Sequence, residues 1–472
     1  MSHSASNSTP AQKLSFWTKL AFGAGDLGTA ITANILVFFL LFFLTNVAGL
    51  PAGLAGSILL IGKISDAIND PIVGVLSDRT EHRWGRRYPW MIGGAIPFGL
   101  FFFLQWLVPS TNPWILFSYY IFIGIAFNIA YTVVNLPYVA LTPEITRDYD
   151  ERTSLNSFRF AFSIGGSILS LILARIIFGL YPDNPQQQYL VLGGVCAVIT
   201  VLPIFWCVLG TRHRILSTQN LEELETDSEQ IPLIEQLKIA FQNKPFLYVI
   251  GIYLFSWLGV QLTASILPYF VINWMQLSET TFPQVAIAVQ GTALAMLFVW
   301  SLISRRYGKR VVYFMGMTLW LVAQMGLFFL QPGQTLWLYV LAILAGFGVS
   351  TAYLIPWSMI PDVIDLDELN TGQRREGIFY SFMVFLQKLG LAIGLFLVGQ
   401  ALELSGFIES IPGQPAPIQP ESALLAIRLA VGPLPMIILL CGMILTYFYP
   451  ITHEVHAEIV LKLQQRRNYK EN

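Results

Sequence analysis

The sequence predicts an all-α membrane protein with twelve transmembrane helices in two six-helix, pseudo-symmetric halves. Composition, the spacing of apolar runs and the alternation of basic loops carry that prediction. Of 472 residues, 55% are hydrophobic and 12% charged, about half the charge of an average soluble domain. The apolar residues fall in long runs, such as 33–43 and 312–330. A helix needs about 20 mostly apolar residues to cross a bilayer.

Polar or Pro/Gly breaks divide the chain into spans at 20–46, 53–78, 89–109, 114–142, 154–181, 188–210, 245–274, 282–304, 311–331, 335–361, 375–404 and 423–450. The loops at 47–52, 110–113, 182–187, 275–281, 332–334 and 405–422 contain no Lys or Arg. The alternate loops hold Arg79, Arg83, Arg86, Arg87, Arg147, Arg152, Arg305, Arg306, Lys309, Arg310, Arg374 and Arg375, and the tail holds Lys462, Arg466, Arg467 and Lys470. Basic loops mark the cytoplasmic face, so both termini are expected in the cytoplasm of a multi-pass plasma (inner) membrane protein.

The expected organisation is a cytoplasmic tail (1–19), a six-helix bundle (20–210), a cytoplasmic connector (211–244), a second bundle (245–450) and a cytoplasmic tail (451–472). The connector holds the acidic run Glu222-Glu223-Leu224-Glu225 and an amphipathic piece at 233–241. The first 19 residues lack the short apolar stretch and cleavage site of a removed signal peptide. Matching pieces recur at an offset of about 220 residues. Asp78-Arg79 with Trp84-Gly85-Arg86-Arg87 corresponds to Ser304-Arg305-Arg306 with Tyr307-Gly308-Lys309-Arg310, and Pro143-Glu144 to Pro361-Asp362. Duplication with a site between the repeats is a transporter pattern.

The remaining composition narrows the function. Net charge is −1, and no basic patch with interleaved aromatics suggests nucleic acid. Cys196, Cys207 and Cys441 lie in apolar runs without metal-ligand spacing and are expected to be packing residues. The five histidines lie outside the spans, with no H-E-x-x-H and no phosphate-binding Gly-rich loop, so neither enzyme chemistry nor ATP-driven pumping is expected. No cofactor is expected beyond a coupling ion.

Charges inside spans are costly and mark ion or substrate paths. Span 2 carries Lys63, Asp66 and Asp70 at i, i+3 and i+7, on one helical face. Two carboxylates and one ammonium leave −1, which a monovalent cation (Na+, Li+ or H+) would balance. Asn69 offers an amide oxygen, and Pro71 frees the carbonyl of Ala67. The competing reading pairs Lys63 with Asp66 and ties Asp70 to a neighbouring helix. Arg159 in span 5 and Lys388 in span 11 come from corresponding helices and could meet at a central cavity, to hold a polar substrate or pair with the span 2 acids; the competing reading is a salt bridge between the halves. Asp78, Arg79, Arg86 and Arg87 could latch the halves on the cytoplasmic side, although membrane topology alone would place bases there. Arg175 and Arg428 are expected to snorkel.

The stretch Lys63-Ile64-Ser65-Asp66-Ala67-Ile68-Asn69-Asp70-Pro71, followed by Asp78-Arg79-Thr80 and Arg83-Trp84-Gly85-Arg86-Arg87, is long and specific. Phe22-Gly23-Ala24-Gly25-Asp26, Leu136-Pro137-Tyr138, Phe158-Arg159-Phe160, Pro361-Asp362-Val363-Ile364-Asp365 and Gln387-Lys388-Leu389-Gly390 support it. On these residues the chain resembles the glycoside–pentoside–hexuronide:cation symporters, the melibiose-permease family of the major facilitator superfamily. The resemblance implies the major facilitator fold, alternating access, and a Na+/Li+/H+ site at Asp66, Asn69, Asp70 and Thr132. It places substrate near Arg159 and Lys388, with Tyr131 and Asn135 beside them on span 4. The family's sugar-gripping acids fall on Ala30 and Asn135, and a Trp falls on Val139. The expectation is therefore a symporter, monomeric as this class of fold works, for a sugar or glycoside other than melibiose. A lysophospholipid or other amphiphile is the alternative substrate, and a sensor or scaffold without transport is the alternative of another class.

Overall fold

A computed structural model of the chain describes residues 14–146, 149–219, 241–372, 376–409 and 417–471. Among these residues the regular structure is helical: α1 (Phe16–Ala24), α2 (Leu27–Ile35), α3 (Ala52–Asp78), α4 (Tyr88–Leu104), α5 (Pro113–Ile145), α6 (Tyr149–Leu180), α7 (Pro185–Gln219), α8 (Lys244–Tyr269), α9 (Thr281–Tyr307), α10 (Lys309–Phe329), α11 (Thr335–Thr371), α12 (Glu376–Leu404), α13 (Glu421–Val431), α14 (Pro433–Phe448) and α15 (His453–Glu471). Each expected span falls on a helix or a pair of helices. Among the described residues, ten helical runs are long and apolar enough to cross a membrane. The second and third expected spans lie outside that set, on α3 with its internal charges and on α4, an apolar helix of 17 residues. The acidic run at 222–225 and most of the expected amphipathic piece at 233–241 lie outside the described residues, and α7 runs on to Gln219, nine residues past the expected end of span 6.

Helix ends follow local chemistry. The Asn112 carboxamide accepts from the backbone N–H groups of Trp114 and Ile115 at the start of α5, and Asn243 does the same for Phe246 of α8. These caps satisfy donors that a helix cannot satisfy itself. The α1–α2 break falls at Gly25-Asp26, and the α13–α14 break at Gly432-Pro433.

The backbone contains a repeat that the sequence barely displays. Two helical runs end in π-helical turns, Phe43–Val47 and Phe270–Trp274. In the first, Ala48 N–H donates to Phe43 O (2.9 Å) and Leu50 N–H to Leu44 O (2.8 Å); in the second, Met275 donates to Phe270 O (2.9 Å) and Leu277 to Val271 O (3.1 Å). The left-handed residue is Gly49 (φ 71°) in one turn and Gln276 (φ 55°) in the other. Glycine adopts that conformation freely and glutamine does so at a cost, so a search for repeated glycines passes over the match.

The two ends of the bundle differ. Call the end bearing the loops at 47–52 and 275–281 the arginine-free end. There the helices before residue 220 interlock with those after residue 243. Phe39 meets Phe282 edge-on (centroids 4.9 Å), Phe42 meets Tyr269 (5.1 Å), and Thr45 and Tyr269 share a hydroxyl hydrogen bond (2.7 Å). Further along, Gln290 of α9 donates to Asn34 Oδ1 of α2 (2.8 Å). Helix α3 runs against α12 so closely that a Cβ on Gly399 would sit 2.6 Å from Ala52 O and 2.8 Å from Gly56 Cα. Small residues allow such approach between membrane helices.

Carboxylates reinforce this crossing. Glu403 accepts from Gly53 N–H (2.9 Å) and Glu409 from Ala52 N–H (3.2 Å), while Gln400 donates to Gly53 O (3.2 Å). The buried N-terminus of α3, whose first N–H groups have no partner within the helix and carry a partial positive charge, is thus capped by acids from the other group of helices.

At the arginine-rich end several ion pairs among the described residues form within one group. Arg86 and Arg87 both donate to Glu144 Oε1 (2.8 and 3.2 Å). Lys309 donates to Asp362 (2.6 and 2.7 Å), and His456 of α15 lies against Asp362 (3.4 Å) and Asp365 (3.1 Å). Glu144 and Asp362, matched by the sequence repeat, therefore play matching parts.

Candidate functional site

The site forms where α3, α5 and α12 meet. Helical spacing puts Lys63, Asp66 and Asp70 on one face of α3. Thr132 of α5 lies opposite, with its hydroxyl 3.1 Å from Asp66 Oδ1 and 3.0 Å from Asp70 Oδ1. One hydroxyl hydrogen serves two carboxylates, holding the acids at a common point. Asp66 is fully buried, whereas the Asp70 side chain is 30% exposed. Asp70 therefore faces the accessible side, with Asp66 behind it.

Lys388 of α12 reaches across to both acids. Its ammonium is 3.1 Å from Asp66 Oδ2 and hydrogen-bonds Asp70 Oδ2. Lys63 stands further off, 3.7 Å from Asp66 Oδ2 and 3.4 Å from Asn128 Oδ1. This revises the charge count. Span 2 alone leaves −1, but Lys388 makes two ammoniums to two carboxylates and a local sum of zero. The reason is tertiary: the fourth charge comes from a helix more than 300 residues away in sequence. A cation entering this site must take carboxylate oxygens from Lys388.

Asn69 points elsewhere, donating to Ser65 Oγ on its own helix (3.1 Å). The side chains of Ala67, Pro71 and Asp78 lie outside the described residues. Arg79 is exposed, and Arg86 and Arg87 are held on Glu144 of the same group of helices.

Arg159 and Lys388 do not share a partner. The nearest carboxylate to Arg159 is Asp26, at the α1–α2 break, with Nε 3.8 Å from Oδ2. Asp26 also accepts from the Thr29 hydroxyl (3.0 Å). The Arg159 Nε is buried without a hydrogen-bond partner, and its guanidinium lies 5.1 Å from the Phe160 ring centre. Tyr131 stands between the two charged groups, near enough to feel Asp66, Asp70, Asp26 and Arg159. Asn135, one turn along α5, is half-buried.

Sequence reasoning gave Asp26 no role. The available signal was an acid within the otherwise apolar start of span 1, four residues before Ala30, where the family resemblance directed attention. Arg428 also departs from expectation. It does not snorkel freely but stacks on Trp274 and Phe328 (4.5 and 4.9 Å) and donates to Phe328 O, which makes it a packing residue. Cys196 and Cys207 are buried and Cys441 is half-buried, all as free thiols.

Comparison with known proteins agrees with this architecture. Residues 21–453 match the family described as MFS/sugar transport protein. The uncharacterized symporter sll1374 of Synechocystis sp. is 55% identical over 98% of this chain and 99% of its own length. The isoprimeverose transporter of Lactiplantibacillus pentosus is 27% identical, covering 86% of each chain. The sodium-dependent lysophosphatidylcholine symporter 1-A of Danio rerio is also 27% identical, over 93% of this chain and 87% of its own. Among solved structures, the nucleoside transporter NupG superposes with a TM-score of 0.65 at 11% identity, covering 91% of this chain and 98% of its own; at that identity the likeness concerns the fold. With its helical bundle, internal charges and these relatives, the chain belongs to the MFS/sugar transport family and is a membrane symporter of the major facilitator superfamily, not an enzyme.

Proposed function

We propose that the chain couples entry of a monovalent cation, Na+, Li+ or H+, to symport of a sugar or glycoside by alternating access. The observation that carries this reading is the pair Asp66 and Asp70, bridged by Thr132 and neutralised by Lys388 from the opposite group of helices. Those groups correspond to the bundles 20–210 and 245–450. With the arginine-rich loops and both termini in the cytoplasm of the plasma (inner) membrane, the interlocked end is external. The conformation is then inward-facing.

The cation step follows from charge. A cation that binds Asp66 and Asp70 displaces the Lys388 ammonium, because two carboxylates cannot fully satisfy three positive groups. Displacement loosens α12 from α3 and frees Lys388 to face the substrate. Thr132 keeps the acids together, and its oxygen lone pairs offer a further ligand. Asn69 supplies an amide oxygen only if it turns from Ser65. Substrate then engages Arg159, with Tyr131 and Asn135 on the connecting helix. A proton can do the same work by neutralising Asp70, the more accessible acid. No cofactor enters this scheme, and one chain contains all the named residues, so a monomer suffices.

The sugar reading draws on the isoprimeverose transporter, and on a guanidinium and carboxylate spaced too widely to bond directly. Hydroxyl groups of a polyol can bridge such a pair by donating to the acid and accepting from the base. The lysophosphatidylcholine symporter is equally similar in sequence, so an amphiphile is the second reading.

Thermal stability of the purified protein in Na+, Li+ or K+ at two pH values tests the cation site. A ligand specific to the folded state stabilises it by about 2.7 kcal/mol at a hundredfold excess over Kd. Na+ or Li+ should stabilise the parent and not Asp70→Asn. An equal response of that variant contradicts the assignment, and a response to pH alone selects H+. Cation-driven uptake of isoprimeverose against lysophosphatidylcholine into proteoliposomes decides between substrate classes.

A further inference from the structure

Glu279 lies in the short segment between the Phe270–Trp274 turn and α9, at the interlocked, arginine-free end. Its neighbours belong to the other group of helices. Its carboxylate is within hydrogen-bonding reach of the Gln188 side chain, at the start of α7, and close enough to Tyr189 to act on its hydroxyl. Gln188 is itself buried. Its amide nitrogen already donates to Tyr181 O (2.9 Å) and Phe178 O (3.4 Å), while its Oε1 has no donor. Glu279 Oε2 is likewise buried without a partner. Two neighbouring side chains thus each bury an acceptor and lack a hydrogen to share.

An ionised carboxylate has only acceptors, whereas a protonated one carries an O–H donor. We propose that Glu279 is a proton-binding site, and that its bound proton supplies the missing hydrogen and holds the two groups of helices closed at this end. The site is separate from the cation site at Asp66 and Asp70, and it does not depend on the substrate reading.

The electrostatics run in the same direction. Burial pushes the Glu279 carboxyl up to about 7, with the neighbouring Gln188 amide offsetting only part of this. No basic side chain is among the described groups acting on it. Arg175, near the end of α6, acts instead on Tyr339. Once the end opens, Glu279 meets water and returns towards its ordinary value of 4.5. The closed state therefore holds the proton more tightly. Its proton-linked advantage is complete below about pH 4.5 and is lost as pH rises through about 7. A shift of this size changes the open-to-closed ratio by up to roughly a hundredfold.

The test is intramolecular energy transfer without added substrate. Fluorophores are placed at Thr111→Cys and Gln331→Cys, both exposed and on loops of opposite groups, in a background with Cys196, Cys207 and Cys441 replaced by Ala. The protein is reconstituted in nanodiscs with choline as the only added cation. Transfer should fall between pH 5 and 8, levelling off above pH 7, as the ends separate. Glu279→Gln, whose amide retains a donor at every pH, should stay in the high-transfer state throughout. Unchanged transfer in the parent, or the same pH response in Glu279→Gln, overturns the proposal.

Discussion

The two ends of the bundle satisfy their charges in opposite ways. At the arginine-free end, acids of one group of helices cap the other, as Glu403 and Glu409 do for α3. At the arginine-rich end, Glu144 takes Arg86 and Arg87, Glu151 takes Lys19, and Asp362 takes Lys309, each within its own group. Among the described residues, polar partners thus tie the groups together at one end, while the ion pairs named at the other are local. A rocking motion needs this asymmetry, because each end must be able to exchange its cross-group partners for local ones. Lys388 sits between the ends and is the crossing most directly open to competition by a cation.

The largest expected effect comes from breaking a local pair at the independent end. Glu144→Ala removes a buried carboxylate that both Arg86 and the buried Arg87 guanidinium reach. Removing one member of a buried ion pair costs about 3–5 kcal/mol, and denaturation should show a loss in that range. The separation of the arginine-free loops should not change. If it did, the independence of the ends would be wrong.

A smaller effect is expected at the interlocked end. A Cβ on Gly399 meets backbone atoms of Ala52 and Gly56 that cannot rotate away. Gly399→Val should push α12 from α3 at a cost of about 1–3 kcal/mol, and it should increase labelling of thiols placed on the arginine-free side. Unaltered labelling would show that the glycine contact does not hold this end.

The smallest effect concerns the cap of α3. Glu409 is held above the usual carboxylate range by burial, with Glu403 nearby adding to the shift. Its proton-linked contribution favours closure at low pH and fades as pH rises through the raised value. Glu409→Gln keeps a side-chain acceptor but loses the charge opposite the helix N-terminus, worth under about 1 kcal/mol. Because burial of the charge outweighs what the helix end returns, a modest increase in thermal stability at neutral pH, absent in acid, is the expected signature.

The sequence revealed much of this because membrane solvent imposes strict patterns. Apolar runs located the helices, although not their ends. Helices α5 and α11 extend to Ile145 and Thr371, since a helix can continue past its apolar stretch into polar residues. Spacing put Asp66 and Asp70 on one face, and the family resemblance supplied Thr132. The acid of each repeat, Glu144 or Asp362, was also legible as a pair. For Lys388, pairing with the span 2 acids was one of several open possibilities, because helical periodicity says nothing of which helix lies opposite. Asp26 was hidden for the same reason: its partner Arg159 is 133 positions away, and no spacing connects them. The matching turns at Gly49 and Gln276 share backbone shape without sharing residue type.

The most direct test of the central claim is cation affinity after removing the competing ammonium. Lys388→Met should bind Na+ or Li+ more tightly than the parent by calorimetry, by roughly tenfold or more, because about one hydrogen-bonded ion pair no longer has to be displaced. Affinity that stays the same or falls in Lys388→Met would contradict the account, since Lys388 would then not occupy the cation's place on Asp66 and Asp70.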